Sequence, residues 1–147
     1  MEKISIYLID DHKLFVEGIY SLLADEPGFE LLGFSLSADH YLQKAGEINA
    51  DVYLIDINMP EISGIELCQM IRRSQPGARL LALTMYDEYT YVEKMIQSGA
   101  LGYILKTASL QELTHAIKTV SRGERYLASD IQAIVFNKIG TQQLPQG

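Results

Sequence analysis

Five polar side chains directly follow short apolar runs in this chain, and their types are those of metal and phosphate chemistry. They are Asp10 and Asp11 after residues 4–9, Asp56 after residues 52–55, Thr84 after residues 80–83, and Lys106 after residues 103–105. If the runs are parallel strands, their carboxyl ends converge on one crevice at the edge of the sheet. Three carboxylates in one crevice repel one another unless a cation lies among them. The sequence therefore predicts a metal site with an acidic acceptor.

The predicted metal is magnesium, which prefers six oxygen ligands and keeps several waters. Proteins usually hold it with one or two carboxylates and a substrate phosphate. The ammonium of Lys106 and the hydroxyl of Thr84 can contact an anionic oxygen beside such an ion. This combination predicts a phosphoryl-transfer site, because that chemistry depends mainly on positioning and charge neutralisation.

The elements that must position these residues follow from an alternation of apolar runs and amphipathic helical stretches. This pattern predicts an α/β domain built from βαβ units around a parallel sheet. The predicted strands cover residues 4–9, 30–35, 52–56, 80–84 and 102–105. Predicted helices begin after the first strand, at Ala38, at the capping box of residues 63–66, at Thr90 and at the capping box of residues 109–112.

Composition limits the class of protein. Hydrophobic residues make up 48% of the 147 residues and charged residues 21%, as in a soluble globular domain. No apolar run approaches the ~20 residues that cross a bilayer, and a single cysteine favours a reducing compartment. We therefore expect a cytoplasmic protein with no membrane partner. The net charge of −7 and the lack of a basic patch argue against direct nucleic-acid binding.

In their order and spacing, four motifs resemble the receiver domain of bacterial two-component response regulators, over about residues 3–121. The motifs are Asp10-Asp11, Asp56-Ile57-Asn58-Met59-Pro60, Thr84 and Tyr103-Ile104-Leu105-Lys106. Further runs resemble the NarL/FixJ subgroup, namely Asp10-Asp11-His12, Leu83-Thr84-Met85 and Gly123-Glu124-Arg125-Tyr126-Leu127. Members of that subgroup usually continue into a LuxR-type helix-turn-helix domain that binds DNA.

The resemblance implies a flavodoxin-like (CheY-like) fold, in which a doubly wound sheet has five parallel strands in the order 2-1-3-4-5. It implies that Asp56 is the phosphoacceptor and receives its phosphoryl group from a sensor histidine kinase. It also implies an Mg²⁺ ion that is held by Asp11, Asp56 and the backbone carbonyl of Asn58, with Asp10 helping through water. Such a protein would not be an enzyme in the usual sense, because it would catalyse only its own phosphorylation and dephosphorylation.

The resemblance also assigns roles in switching. Lys106 would pair with Asp56 and later with its phosphate, Thr84 would turn toward the phosphate, and Tyr103 would move inward. Thr107 follows the lysine where many receivers have proline, so a cis bond there is not expected.

For domain organisation, we expect a receiver domain over residues 1–121 and a linker over residues 122–147. The linker would begin with a turn over residues 122–127 and continue as a short helix over residues 129–139. The output domain is expected to be absent from this chain, so DNA would be bound only through that missing domain. A homodimer is expected in some state.

Two other functions fit parts of the pattern. A Mg²⁺-dependent phosphohydrolase with an aspartyl-phosphate would use the same acids, but such enzymes commonly have a second acid where this chain has Asn58. An interaction module that has lost the chemistry is disfavoured by the intact acid set. We expect His12 to be an exposed helix residue rather than a ligand, as with His40 and His115.

Overall fold

Six parallel strands form one sheet, with the order β2-β1-β3-β4-β5-β6. The structure is a computed structural model that describes residues 2–59, 62–85, 93, 94 and 97–127. The strands are β1 (Ile4–Ile9), β2 (Phe29–Ser35), β3 (Val52–Asp56), β4 (Arg79–Thr84), β5 (Gly102–Leu105) and β6 (Tyr126–Leu127). The predicted fold class and the order of the first five strands are confirmed.

The sixth strand lies in a segment that the sequence predicts to be a turn. Tyr126 and Leu127 pair in parallel with Gly102 and Tyr103 of β5. The hydroxyl of Tyr126 also donates a hydrogen bond of 2.8 Å to the carboxylate of Glu112. Two residues are too few to show the alternation that identifies a strand, which is why sequence periodicity does not reveal β6.

Four α-helices whose bounds lie wholly within the described residues cover the sheet, and residues 93, 94 and 97 are helical as well. The four helices are α1 (Lys13–Ala24), α2 (Ala38–Lys44), α3 (Gly64–Ser74) and α4 (Leu110–Ser121). Ser63 and Ser109 cap α3 and α4 as predicted, because each hydroxyl accepts a hydrogen bond from the backbone N–H three residues later. Helix α2 ends at Lys44, and a 3-10 turn over Ala45–Glu47 follows it. Most of the predicted helix over residues 90–98 lies outside the described residues. All of the predicted helix over residues 129–139 lies outside them.

The middle of the sheet is its most buried part. All five residues of β3 are buried, between β1 on one side and β4 on the other. An apolar run without alternation is typical of a parallel strand that is covered on both faces. Among the described residues, no helix is long and apolar enough to cross a membrane.

Gly64 lets α3 begin close to the end of β3. Its backbone N–H donates a hydrogen bond of 3.1 Å to the carbonyl of Ile57. A Cβ at this position would contact the carbonyl oxygen of Asp56 and would lie 2.5 Å from the Cα of Ile57. Both contacts are with backbone, which cannot rotate away. The loop that carries Asp56 therefore depends on a residue without a side chain at position 64.

We expect Gly64→Ala to destabilise the domain by about 1–3 kcal/mol, because the added methyl group forces the backbone after β3 to shift. Gly18→Ala is the matched control, since Gly18 lies inside α1 and a methyl group added there would meet nothing within 4 Å. That control should be neutral or more stable by up to about 1 kcal/mol, because alanine is the better helix former. Urea denaturation measures both changes. Equal effects of the two substitutions would contradict the close approach at Gly64.

Candidate functional site

The structure brings the three predicted carboxylates together at the carboxyl edge of the sheet. Asp10 follows β1, Asp56 ends β3, and each is only 1% exposed. The side chain of Asp11 is 30% exposed. One oxygen from each carboxylate and the Nδ1 atom of His12 all lie within 4.8 Å of one another. The expected acid cluster is therefore present.

Backbone hydrogen bonds to neighbouring strands fix these strand ends. The N–H of Asp10 donates to the carbonyl of Ser35 at 3.0 Å, and the N–H of Lys106 donates to the carbonyl of Thr84 at 2.7 Å. The N–H of Ile57, just after Asp56, donates to the carbonyl of Leu83 at 3.2 Å. Each functional side chain thus leaves the sheet from a backbone position that the adjacent strand holds.

Lys106 forms ion pairs with two of the acids. Its Nζ lies 2.8 Å from Oδ2 of Asp10 and 3.2 Å from Oδ2 of Asp56, and its side chain is 3% exposed. Three carboxylates and one ammonium leave two negative charges uncompensated in this group. The pairing predicted for Lys106 and Asp56 is present.

The pKa of Asp56 is raised from 3.8 to about 6, and burial is the largest cause. The negative charge of Asp10 contributes in the same direction. A hydrogen bond of 3.0 Å from the backbone N–H of Asn58 to Oδ1 lowers it, as does the ammonium of Lys106. Desolvation is the largest of these effects, so keeping Asp56 ionised costs the folded protein free energy.

The donor set fits a hard divalent cation. It offers carboxylate oxygens, the ligands that Mg²⁺ prefers, and an excess of two negative charges. Oδ1 of Asp11 is buried and accepts no hydrogen bond from the described residues. A buried carboxylate oxygen without a donor is costly unless a cation approaches it. These observations support a metal site at Asp10, Asp11 and Asp56.

The remaining predicted residues differ in how much of each is exposed to solvent. Thr84 ends β4 and is fully buried, and Asn58 is exposed in the loop after β3. The ring of Tyr103 is also fully buried. The ring already occupies an inward position, so this structure does not show the outward position that the expected movement would begin from. The switch role of Tyr103 stays a prediction.

His12 contributes to the site, which sequence reasoning missed. Its side chain is 54% exposed, as expected, but Nδ1 points into the cluster and lies 2.6 Å from Nζ of Lys106. The reason is its place as the N-cap of α1, where its backbone N–H donates to Oδ1 of Asp10 at 2.8 Å. Its position directly after two acids was the available signal.

Phe15 also contacts the site, from the first turn of α1. Its ring centroid lies 5.0 Å from Nζ of Lys106, within the range of a cation–π interaction. The start of α1 thus contacts the lysine through an aromatic ring as well as through His12. Nothing in the sequence alone distinguishes this phenylalanine from a core residue.

The parallel sheet and the acid cluster at its carboxyl edge are typical of a signalling receiver domain, and comparison with known families agrees. The sequence model of the response regulator receiver domain matches residues 6–118. The chain belongs to this family. Receiver domains are signalling proteins and not enzymes in the usual sense.

Curated relatives place the chain among regulators of the NarL/FixJ type, as the sequence motifs predicted. It is 37% identical to the transcriptional regulatory protein DegU of Brevibacillus brevis, over 85% of this chain and 53% of that protein. It is 38% identical to the response regulator GacA of Pseudomonas viridiflava, over 87% of this chain and 60% of that protein. The chain thus spans little more than half the length of these relatives.

Solved structures show the same fold. A two-component response regulator of the LuxR family from Aurantimonas sp. SI85-9A1 has a TM-score of 0.89 at 28% identity, covering 95% of this chain and 99% of that one. The signal receiver domain of the response regulator NarL from Mycobacterium tuberculosis has a TM-score of 0.79 at 27% identity, covering 84% and 100%.

We expect Asp56→Asn to stabilise the metal-free domain at pH 7.5, because it removes a buried negative charge beside Asp10. The pKa of Asp56 is raised to about 6, so the folded state binds its proton more tightly than the unfolded state. The contribution of this group to stability is therefore fully present below about pH 4 and is lost as the pH rises through about 6. The variant should gain about 1–3 kcal/mol at pH 7.5 and almost nothing near pH 4.

Urea denaturation in EDTA at the two pH values measures this difference. Asp39→Asn is the control, since Asp39 is an exposed residue in the first turn of α2, and its effect should not show this pH dependence. An Asp56→Asn protein that is less stable than wild type at both pH values would contradict the conclusion that the buried negative charge of Asp56 destabilises the folded state.

Proposed function

We propose that Asp56 accepts a phosphoryl group from the phosphohistidine of a sensor histidine kinase. The single observation that carries this proposal is the carboxylate of Asp56, buried at the end of β3 and 3.2 Å from the ammonium of Lys106. An anionic acceptor with a cation beside it and an open rim of exposed residues suits an in-line transfer, which depends on positioning and charge neutralisation.

In this transfer an oxygen of Asp56 forms the new bond to phosphorus while the bond from phosphorus to the kinase histidine nitrogen breaks. The nitrogen keeps the electron pair, and because the phosphohistidine carries a proton on its other ring nitrogen, the histidine leaves as neutral imidazole. Lys106 donates hydrogen bonds to the phosphoryl oxygens as negative charge moves onto this side of the site. Its ion pair with Asp10 keeps the ammonium in place when Asp56 is phosphorylated.

Mg²⁺ is the proposed cofactor, with Asp11, Asp56 and the backbone carbonyl of Asn58 as ligands and Asp10 beside them. When bound, it neutralises charge on the phosphoryl oxygens. The support for it is the excess of two negative charges and the buried oxygen of Asp11 that accepts no hydrogen bond from the described residues. The protein residues supply the orientation, since the strand ends hold the three carboxylates before any ion arrives.

Thr84 and Tyr103 are the proposed switch. Thr84 ends β4, and its backbone carbonyl accepts a hydrogen bond from the backbone N–H of Lys106, which holds the two strand ends side by side. The hydroxyl of Thr84 would contact the phosphoryl group, and Tyr103 on the adjacent β5 would repack with it. New charge contacts of this kind bias a two-state element.

For the whole protein, we propose a cytoplasmic transcription regulator that changes its self-association when phosphorylated. The support is the similarity to DegU and GacA over little more than half of their lengths. Residues 1–121 would form the receiver, and residues 122–147 would lead to a DNA-binding output domain. The described part of that second segment adds β6 to the receiver sheet.

Incubation with acetyl phosphate and Mg²⁺ tests the acceptor directly, with intact-protein mass as the measurement. We expect one phosphoryl group in the wild type, none in Asp56→Asn, and none in the wild type when EDTA removes the metal. Asp39→Asn, which changes an exposed acid on α2, should be labelled like the wild type. Labelling that persists in Asp56→Asn, or no labelling of a folded protein that binds Mg²⁺, would overturn the proposal.

A further inference from the structure

His12 provides a nitrogen atom in a site whose other side-chain donors are carboxylate oxygens. Its Nδ1 lies 3.0 Å from Oδ1 of Asp10, 3.5 Å from Oδ1 of Asp11 and 3.5 Å from Oδ2 of Asp56. Adjacent ligands of an octahedral ion with bonds of about 2.1 Å are about 3 Å apart. The spacing between Nδ1 and the three oxygens is therefore close to that of ligands that share one ion.

Two neighbours of His12 make opposite demands on the same ring nitrogen. Nζ of Lys106 lies 2.6 Å from Nδ1, and Oδ1 of Asp10 lies 3.0 Å from it. An ammonium only donates hydrogen bonds and a carboxylate only accepts them, so Nδ1 cannot satisfy both neighbours at once. A metal ion among the carboxylates would give this nitrogen a single partner in place of the two.

We propose that His12 Nδ1 is a further ligand of this metal site when a first-row transition dication such as Mn²⁺ or Co²⁺ occupies it. This inference rests on the metal site of the proposed function. Imidazole nitrogen favours these ions, whereas Mg²⁺ prefers oxygen ligands. Lys106 can release His12 to the metal, because its ion pairs with Asp10 and Asp56 remain.

The variant His12→Asn separates the nitrogen ligand from the rest of the site. Asparagine is a preferred N-cap residue, so α1 keeps its start, and an amide oxygen replaces the ring nitrogen. The chain has three histidines, and His40 offers a matched control, since its Nδ1 lies 2.8 Å from Oγ of Ser35 and away from the acids. His40→Asn should leave metal binding unchanged.

Two measurements on the folded chain test the proposal. The first is pulsed electron paramagnetic resonance of bound Mn²⁺, which detects a directly bonded imidazole ¹⁴N. We expect this coupling in the wild type and in His40→Asn, and not in His12→Asn. The second is calorimetric titration with Co²⁺ and Mg²⁺. His12→Asn should weaken Co²⁺ binding by about tenfold or more, while Mg²⁺ binding hardly changes.

The possible failures are distinguishable. Mn²⁺ that binds without imidazole coupling, or a coupling that survives His12→Asn, overturns the role of His12 and leaves the magnesium site of the proposed function standing. Co²⁺ affinity that is the same in wild type and His12→Asn does so too. If neither Mg²⁺ nor Mn²⁺ binds to the folded wild type, the magnesium site itself is wrong and the nitrogen ligand falls with it.

Discussion

Buried negative charge at one edge of the sheet is the constraint on which the rest of this structure depends. Asp10 and Asp56 are both 1% exposed, and an ionised carboxylate without a partner in such a place costs several kcal/mol. Among the described residues of the site, Lys106 is the lysine whose positive charge compensates these two carboxylates. When the carboxylate of Asp11 is counted with them, two negative charges remain, and this imbalance makes the edge receptive to a cation.

The parallel sheet makes that arrangement possible because it fixes the charges through the backbone and not through flexible side chains. Neighbouring strands bond the N–H groups of Asp10 and Lys106, so the acid and the ammonium leave the sheet at set positions. Gly64 allows α3 to start against the loop after Asp56, and the backbone N–H of Asn58 donates to the carboxylate of Asp56. The carboxylate of Asp56 is thus held in place by the backbone around it.

Much of this could be predicted from the sequence, because apolar runs that end in acids, a hydroxyl or a lysine leave few alternatives in an α/β fold. The bounds of β1 and β5 are those predicted, and the three carboxylates and Lys106 meet as expected. The missed features depend on three-dimensional proximity. His12 turns toward the acids only because it caps α1, and the need for glycine at position 64 appears only when α3 approaches β3. The pairing of β6 with β5 is likewise a tertiary contact of two residues.

The same charge balance explains how one site can connect chemistry to movement. On the proposed function, phosphorylation of Asp56 replaces a carboxylate by a phosphoryl group that carries about −1.5 to −2 charge, so the demand on the ammonium increases. Lys106 cannot keep its contacts with Asp10, His12 and the acceptor equally strong under that demand. Any redistribution acts on the start of α1 through the contacts of the ammonium with His12 and Phe15. Because packed elements respond in discrete steps and not continuously, a small change in these contacts is enough to alter the surfaces that those elements present.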